Sequence, residues 1–359
     1  MNIKKVQKDI DSCRFCFMCR HICSMARVTG SEVVNPRSRG LMLSYVLRGT
    51  IPYSADLDDT VYRCCMCGYC ADWCEGNWNP PAYVQEARFD MVERELAPAH
   101  ITALRDALLK NGMIADPGQQ VLSSAENGDA NVLLYKGAYP DAQIERYFTQ
   151  AAALMDRAGI QCAYVAGAPS GFAQLYRLGF REDAQRVARQ VLDLAGAKGV
   201  RTIATLSTLD AYVLGLLSDE IGCKNDFGIV PVVIILMDAV EDGSIKVNAK
   251  DLSVTYHDSD IMARYLAMTD QPRAVLSQLG AALTEMEWHG SRARTTGGLL
   301  LAAMYPAESA ALVAGRAAEA SETGAQALVT GDIEDALLLT GKTGQEVLTL
   351  IDVIGRAAL

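Results

Sequence analysis

Two stretches of sequence decide the fold: Cys13-Arg-Phe-Cys16-Phe-Met-Cys19-Arg-His-Ile-Cys23 and Cys64-Cys65-Met-Cys67-Gly-Tyr-Cys70-Ala-Asp-Trp-Cys74. In both stretches four cysteines follow the spacing C-x2-C-x2-C-x3-C. The chain has 359 residues and 11 cysteines, and only Cys162 and Cys223 lie beyond these stretches. Two identical runs so close together are a strong signal of metal binding.

The spacing is typical of proteins that hold two [4Fe–4S] clusters. Three cysteines at two-residue gaps wrap around three corners of one iron–sulfur cube, and the fourth lies too far along to close the same cube. In two-cluster ferredoxins the fourth cysteine crosses over to the other cluster. The predicted ligand sets are Cys13, Cys16, Cys19 and Cys74 for one cluster, and Cys64, Cys67, Cys70 and Cys23 for the other. This crossing predicts that folding and metal loading are coupled.

Other uses of these cysteines fit less well. Zinc takes four ligands in total and prefers paired C-x2-C knuckles. A disulfide framework is disfavoured because the N-terminus lacks the apolar segment of a secretory signal, which makes a cytoplasmic location the expectation. The ninth cysteine of this region, Cys65, breaks the pattern. It is either an alternative ligand or a small buried side chain beside a cluster.

Composition narrows the range of partners. The formal net charge is -10, which argues against nucleic acid because phosphate binding needs a basic surface. The longest apolar run, residues 229–237, is too short to span a bilayer, so any membrane association is expected to be peripheral and through a partner. The length suggests two or three domains.

The pattern of predicted secondary structure changes near residue 130. Before it, residues 36–49, 82–96 and 101–109 read as helices, so a cluster domain over residues 1–112 is predicted to be helical, with a polar linker over 116–129. After it, β-type runs at 132–135, 162–165 and 201–206 alternate with helical stretches at 143–158 and 182–197. Such alternation predicts an α/β layer with a largely parallel sheet.

A weak internal repeat divides the second part. Residues 199–205 are similar to residues 324–330, and an Asp-Ala pair follows each copy at the same offset, at Asp210 and Asp335. We therefore expect two related α/β halves, over residues 130–245 and 250–359. The predicted fold class is a multidomain α+β protein, with an α-helical two-[4Fe–4S] ferredoxin domain followed by these halves.

With these features the chain resembles the iron–sulfur subunits related to heterodisulfide reductase. That family includes the iron–sulfur subunits of anaerobic glycerol-3-phosphate, lactate and glycolate dehydrogenases. The resemblance is carried by the two cysteine runs and by residues 35–40, 61–64, 175–180 and 254–258. It covers nearly the whole chain and is most specific in the first 100 residues.

The sequence departs from the family in the α/β halves. There, each half usually carries a lone cysteine, a CCG motif and a C-x2-C pair, which in heterodisulfide reductases hold unusual iron–sulfur clusters. None of these cysteines is present here. The positions are occupied by Ala138, Val165, Ala166, Ser207 and Asp210 in the first half, and by Asp260, Thr295, Thr296, Asp332 and Asp335 in the second. Alkyl, hydroxyl and carboxylate groups cannot hold an iron–sulfur cluster, so the halves are expected to be degenerate CCG-like domains.

The acidic replacements allow two interpretations. His257, Asp258, Asp260, Asp332 and Asp335 would form a hard-cation site if they converged. Alternatively, they are solvated helix caps that follow strands, where Asp is common.

The resemblance implies an electron-transfer subunit of a larger oxidoreductase complex. The chain shows no G-x-G-x-x-G motif after a strand and no nucleophile–base pair, so no catalytic residue is assigned. We expect a flavoprotein dehydrogenase or an electron-transferring flavoprotein as partner, with FAD or FMN on that chain, in a hetero-oligomer. The alternatives are a quinone or disulfide reductase with its acceptor site in the α/β halves, and a non-catalytic assembly factor or redox sensor.

Overall fold

The computed structural model describes residues 1–111, 130–138, 142–164, 168–248 and 252–359. The predicted linker over residues 116–129 and the predicted domain limit at residue 112 lie outside these ranges. Within the described residues, no helix has both the length and the apolar character needed to cross a membrane.

The first 111 residues are helical, as predicted. A 3₁₀ turn, Asn2–Val6, precedes eight helices: α1 (Gln7–Asp11), α2 (Met18–Ile22), α3 (Ser24–Thr29), α4 (Pro36–Leu47), α5 (Ala55–Tyr62), α6 (Tyr69–Asp72), α7 (Pro80–Glu93) and α8 (Ala99–Asn111). Helix α4 begins at Pro36 because the Asn35 side chain accepts a hydrogen bond from the Ser38 amide at 2.9 Å. The three predicted helices correspond to α4, α7 and α8.

The described residues beyond 130 form two parallel sheets. The first contains β1 (Val132–Tyr135), β2 (Cys162–Ala163), β3 (Thr202–Thr205) and β4 (Gly228–Pro231), in the order β2-β1-β3-β4. The second contains β5 (Leu252–His257), β6 (Ala281–Leu283), β7 (Ala327–Thr330) and β8 (Glu346–Thr349), in the order β6-β5-β7-β8. The prediction of α/β layers with parallel strands is confirmed.

Helices connect these strands. Around the first sheet lie α9 (Ala142–Arg157), α10 (Phe172–Leu178), α11 (Arg181–Ala197), α12 (Thr208–Ala211), a π-helical turn (Tyr212–Leu216) and α13 (Val232–Glu241). Around the second lie a π-helical turn (Ile261–Tyr265), α14 (Asp270–Gln278), a 3₁₀ turn (Gly290–Arg292), α15 (Gly298–Met304), α16 (Pro306–Glu322), α17 (Ile333–Leu339) and α18 (Leu350–Ala357).

The repeated stretches occupy the same place in the two sheets. Strands β3 and β7 each lie third in their sheet, and they pair with β1 and β5 in the same direction. By the offset of the repeat, Asp210 of the first half corresponds to Asp335 of the second. The two halves therefore share one strand topology.

The helical segment packs directly against the α/β part. One buried apolar core contains Tyr83 and Phe89 of α7 together with Tyr176 of α10, and the Phe89 and Tyr176 rings meet edge to face at 5.4 Å. The Tyr62 hydroxyl donates a hydrogen bond to the Leu178 carbonyl at 2.9 Å. A second core lies between the two sheets, so all three parts share buried surface.

Candidate functional site

The two cysteine runs have the same backbone conformation. Phe15 and Phe17 adopt φ of 54° and 68°, and the corresponding Met66 and Gly68 adopt 55° and 78°. In each run this turn directs an amide at the first sulfur: Phe15 N lies 3.5 Å from Cys13 Sγ, and Met66 N lies 3.4 Å from Cys64 Sγ. Amides pointing at sulfur stabilise a thiolate, so both runs are shaped to present anionic ligands. Spacing alone did not reveal these left-handed residues.

A first cavity, of about 450 Å³, lies beside the first run. Four of its lining residues are the predicted first ligand set, Cys13, Cys16, Cys19 and Cys74. Cys74 comes from the second run, as the crossover predicts. Cys16 is exposed, so this cavity lies at the protein surface.

A second cavity, of only about 20 Å³, is lined by the other predicted set, Cys23, Cys64, Cys67 and Cys70, which would have to move apart to hold a cluster. Here Cys23 comes from the first run. Its walls are mainly apolar and include Pro36, Pro80, Pro81 and Val84. Cys70 lines both cavities, which places them next to each other.

The thiols need a cation to become ligands. Burial, reinforced by the neighbouring Cys13 thiol, raises the pKa of Cys19 to about 12, and burial also raises the pKa of Cys70 well above its usual value. In the described part of the chain, no three His, Cys, Asp or Glu side chains converge on a point where one metal ion could sit. Four thiols spread around a cavity suit a cube in which each iron takes one thiolate.

Buried arginines surround the second run. Arg88 donates to the Cys64 carbonyl at 2.6 Å, Arg264 to the Cys67 carbonyl at 2.5 Å, and Arg177 lies 3.5 Å from the Met66 carbonyl. Arg39, which is 1% exposed, donates to the Thr60 carbonyl at 2.7 Å. A cluster with four thiolates is anionic, so these guanidinium groups offset its charge in a region of low dielectric. The arginines come from distant stretches, and sequence reasoning missed them.

In the second α/β half, the residues that stand where the family has cysteines belong to a buried polar network. The Thr296 hydroxyl donates to Asp335, and His257 Nε2 lies 3.2 Å from Asp335 Oδ2. Arg316 donates from Nε to His257 Nδ1 at 2.9 Å, so Nδ1 accepts and the ring proton is on Nε2. Nearby, the Thr295 hydroxyl and Arg264 both donate to Asp260.

The acidic residues of the second half pair with hydroxyl, imidazole and guanidinium groups. Within the described residues they do not converge on a cation position. Asp332 does cap α17, accepting from the Glu334 amide at 2.8 Å, but it is buried and not solvated. The first half differs, because Asp210 is fully buried and neither carboxylate oxygen has a hydrogen-bond partner among the described residues.

The other replaced positions and the cysteines outside the two ligand sets lie as follows. Ala138 is buried, whereas Val165 and Ala166 lie outside the described residues. Cys162 and Cys223 are buried away from the cavities, as predicted. Cys65 lines the second cavity and also a small space of about 70 Å³ between the second run and the α/β halves. That space has room for only a few waters.

The chain is distantly similar to known proteins in sequence and in fold. No family model matches the chain. Over 320 residues it is 23% identical to one of the subunits of the dihydromethanophenazine:CoB–CoM heterodisulfide reductase of Methanosarcina acetivorans, covering 80% of this chain and 77% of that protein. The chain is thus similar to a heterodisulfide reductase subunit. A hypothetical protein from Helicobacter pylori has a similar fold, with a TM-score of 0.62, 12% identity, and coverage of 99% of this chain and 75% of that one.

Proposed function

We propose that this chain is an iron–sulfur electron-transfer subunit of a larger oxidoreductase complex. The observation that carries the proposal is the pair of adjacent cavities whose linings include the two predicted ligand sets, with Cys70 common to both. Similarity to a heterodisulfide reductase subunit supports it. The domain limits that go with it are residues 1–112 for the ferredoxin domain and 130–245 and 250–359 for the α/β halves.

The residues around each cavity would have distinct tasks. When bound, a [4Fe–4S] cluster supplies reversible one-electron storage. Cys70 borders both cavities, which gives a short path from one to the other. Prolines and Val84 exclude water from the second cavity, and the surrounding arginines offset thiolate charge there. Exposed Cys16 provides the contact with the outside.

The proposed partner carries FAD or FMN. Organic substrates usually lose two electrons as a hydride, whereas iron–sulfur clusters exchange one electron at a time. A flavin accepts a pair and releases electrons singly, so it is the natural converter between the two. The α/β halves would then serve as a scaffold, with paired polar groups filling the positions that hold thiols in the family.

A reductase with its acceptor site in the α/β halves is less well supported. The vacated positions in the two halves carry no thiol for disulfide chemistry. We therefore retain the relay as the proposed function and the quinone or disulfide reductase as its alternative.

The test has two stages. Anaerobically purified protein should contain about eight irons and eight sulfides per chain, since two cubes hold four of each. In a complex with its flavoprotein, the partner's substrate should bleach the cluster absorbance, and omission of the flavoprotein should abolish the bleaching. Cys223→Ser, remote from both cavities, is the control and should behave like wild type. Equally fast reduction of the isolated chain by substrate would contradict the relay.

A further inference from the structure

The first cysteine run carries an exposed apolar surface. Phe15, Phe17 and Met18 are 50%, 42% and 46% exposed. Large apolar side chains that are exposed so close together usually mark an interaction site. They flank Cys16, the exposed thiol of the first cavity. Arg14 and Arg20 are also exposed. The five side chains Arg14, Phe15, Phe17, Met18 and Arg20 are called the first-run face below.

The charge around this face is opposite to that of the rest of the chain. Residues 1–50 contain nine Lys and Arg but only three Asp and Glu. Residues 51–359 contain the other 24 Lys and Arg and 40 Asp and Glu. The net charge is therefore +6 over residues 1–50 (9 minus 3) and -16 over residues 51–359 (24 minus 40).

The cations of the face are available for binding. Among the described residues Arg14 forms no ion pair, and Arg20 pairs only with Glu32, which is itself exposed. Arg37 lies behind the aromatic rings, with its guanidinium carbon 4.1 Å from the centre of Phe17 and 5.1 Å from that of Phe15. This contact adds positive charge to the face while it orders both rings.

We infer that the first-run face docks a redox partner whose surface is acidic around its own flavin. An apolar centre with a charged rim is the usual anatomy of a specific protein interface. The net negative charge of residues 51–359 repels such a partner, which favours contact through the basic first-run face and so near Cys16. This inference rests on the proposed function and adds to it the place of contact and the charge of the partner.

The experiment uses the complete iron-loaded chain and a flavodoxin, a small FMN protein that is acidic around its flavin. Calorimetric titration should show binding that weakens at least about tenfold when ionic strength rises from about 20 to about 200 mM. The double variant Arg14→Glu/Arg20→Glu should weaken binding by about tenfold or more. Its iron content and its reduction by dithionite should match wild type. Lys224→Glu, an exposed charge reversal in the α/β part, is the control.

The outcomes separate the inference from the proposed function. Binding that ignores both salt and the charge reversal, or no binding at low salt, overturns the docking inference and leaves the relay standing. Docking as expected without electron exchange contradicts the relay instead. If the face binds vesicles of phosphatidylglycerol and not flavodoxin, it is a membrane contact and the inference is wrong. Arg14→Lys/Arg20→Lys should retain affinity, which shows that charge and not folding is responsible.

Discussion

His257 Nε2 lies 3.2 Å from Asp335 Oδ2 in a pair that is almost fully buried. Burial alone would raise the pKa of Asp335, but His257 and the Thr296 hydroxyl outweigh it and hold this pKa below its usual value. Its counterpart in the first half, Asp210, has no such partners among the described residues. Burial, with some repulsion from Glu334, raises the pKa of Asp210 well above its usual value. The pKa values of the two corresponding carboxyls are therefore displaced in opposite directions.

We expect Asp335→Asn to lower the free energy of unfolding by about 1–3 kcal/mol, because the amide has one acceptor oxygen where the buried carboxylate faces both the Thr296 hydroxyl and the neutral His257 ring. Asp210→Asn is the matched control and should not lower it, because the amide has the same shape and neither Asp210 oxygen accepts a hydrogen bond within the described residues. Chemical denaturation at pH 7 measures both. An equal loss in the two variants would show that the charge on Asp335 is not what stabilises the pair.

The two carboxyls should also shift stability with pH in opposite directions. The folded-state pKa of Asp335 lies below its unfolded value of about 4, so its contribution is present above pH 4 and is lost as pH falls through the folded value. The folded-state pKa of Asp210 is raised, so stability declines as pH rises from about 4 toward that value. Unfolding curves between pH 3 and 8 should show this decline in wild type and not in Asp210→Asn.

Part of this arrangement could be predicted from sequence, because some of the patterns lie within one short segment of the chain. Cysteine spacing is a property of one short segment, so it assigned Cys23 and Cys74 to the opposite runs, and the structure places each on the corresponding cavity. The repeat likewise marked β3 and β7. The predicted helix ends were less accurate. The sequence predicts that this helix starts at residue 82, whereas α7 begins at Pro80, because proline suits the first turn of a helix.

The charge balance could not be predicted in the same way. Arg88, Arg177 and Arg264 meet the second run only through tertiary packing, and nothing in their spacing connects them. The acidic residues of the second half were recognised as a group, but their partners Arg316 and Thr296 lie on other elements. Side chains such as these decide whether the carboxylates form ion pairs within the protein or remain free to bind a cation.

Arg88 connects the second run to the first α/β half and should be needed for both. Its guanidinium donates to the carbonyls of Tyr62, Cys64 and Arg177. Arg88→Met leaves these buried acceptors without a donor, so we expect a loss of about 3–5 kcal/mol in unfolding free energy and weaker iron retention. Arg94→Met, at the exposed end of the same helix, should change stability by less than about 0.5 kcal/mol. Equal iron retention in the two variants would exclude this role.

The corresponding positions Gly68 and Phe17 should tolerate substitution very differently. Both have positive φ, but a Cβ on Gly68 would lie 3.1 Å from the Tyr265 ring, whereas Phe17 is exposed. Gly68→Ala should therefore cost about 1–3 kcal/mol through backbone strain and crowding. Phe17→Gly should cost less than this, because relief of the backbone strain offsets part of the lost contact between the ring and Arg37. Thermal unfolding of the iron-loaded proteins measures both changes.

The crossover of the fourth cysteines gives the most direct test of the two ligand sets. Cys16→Ser and Cys67→Ser provide reference spectra, since each removes a central ligand of one run. If Cys23 binds the cluster of the second run, electron paramagnetic resonance of reduced Cys23→Ser should match that of Cys67→Ser. Cys74→Ser should match Cys16→Ser by the same argument. Cys65→Ser, which removes a neighbouring thiol outside either set, should leave both signals in place. If Cys23→Ser instead matches Cys16→Ser, each run binds its own cluster, and the cavity linings do not correspond to the ligand sets.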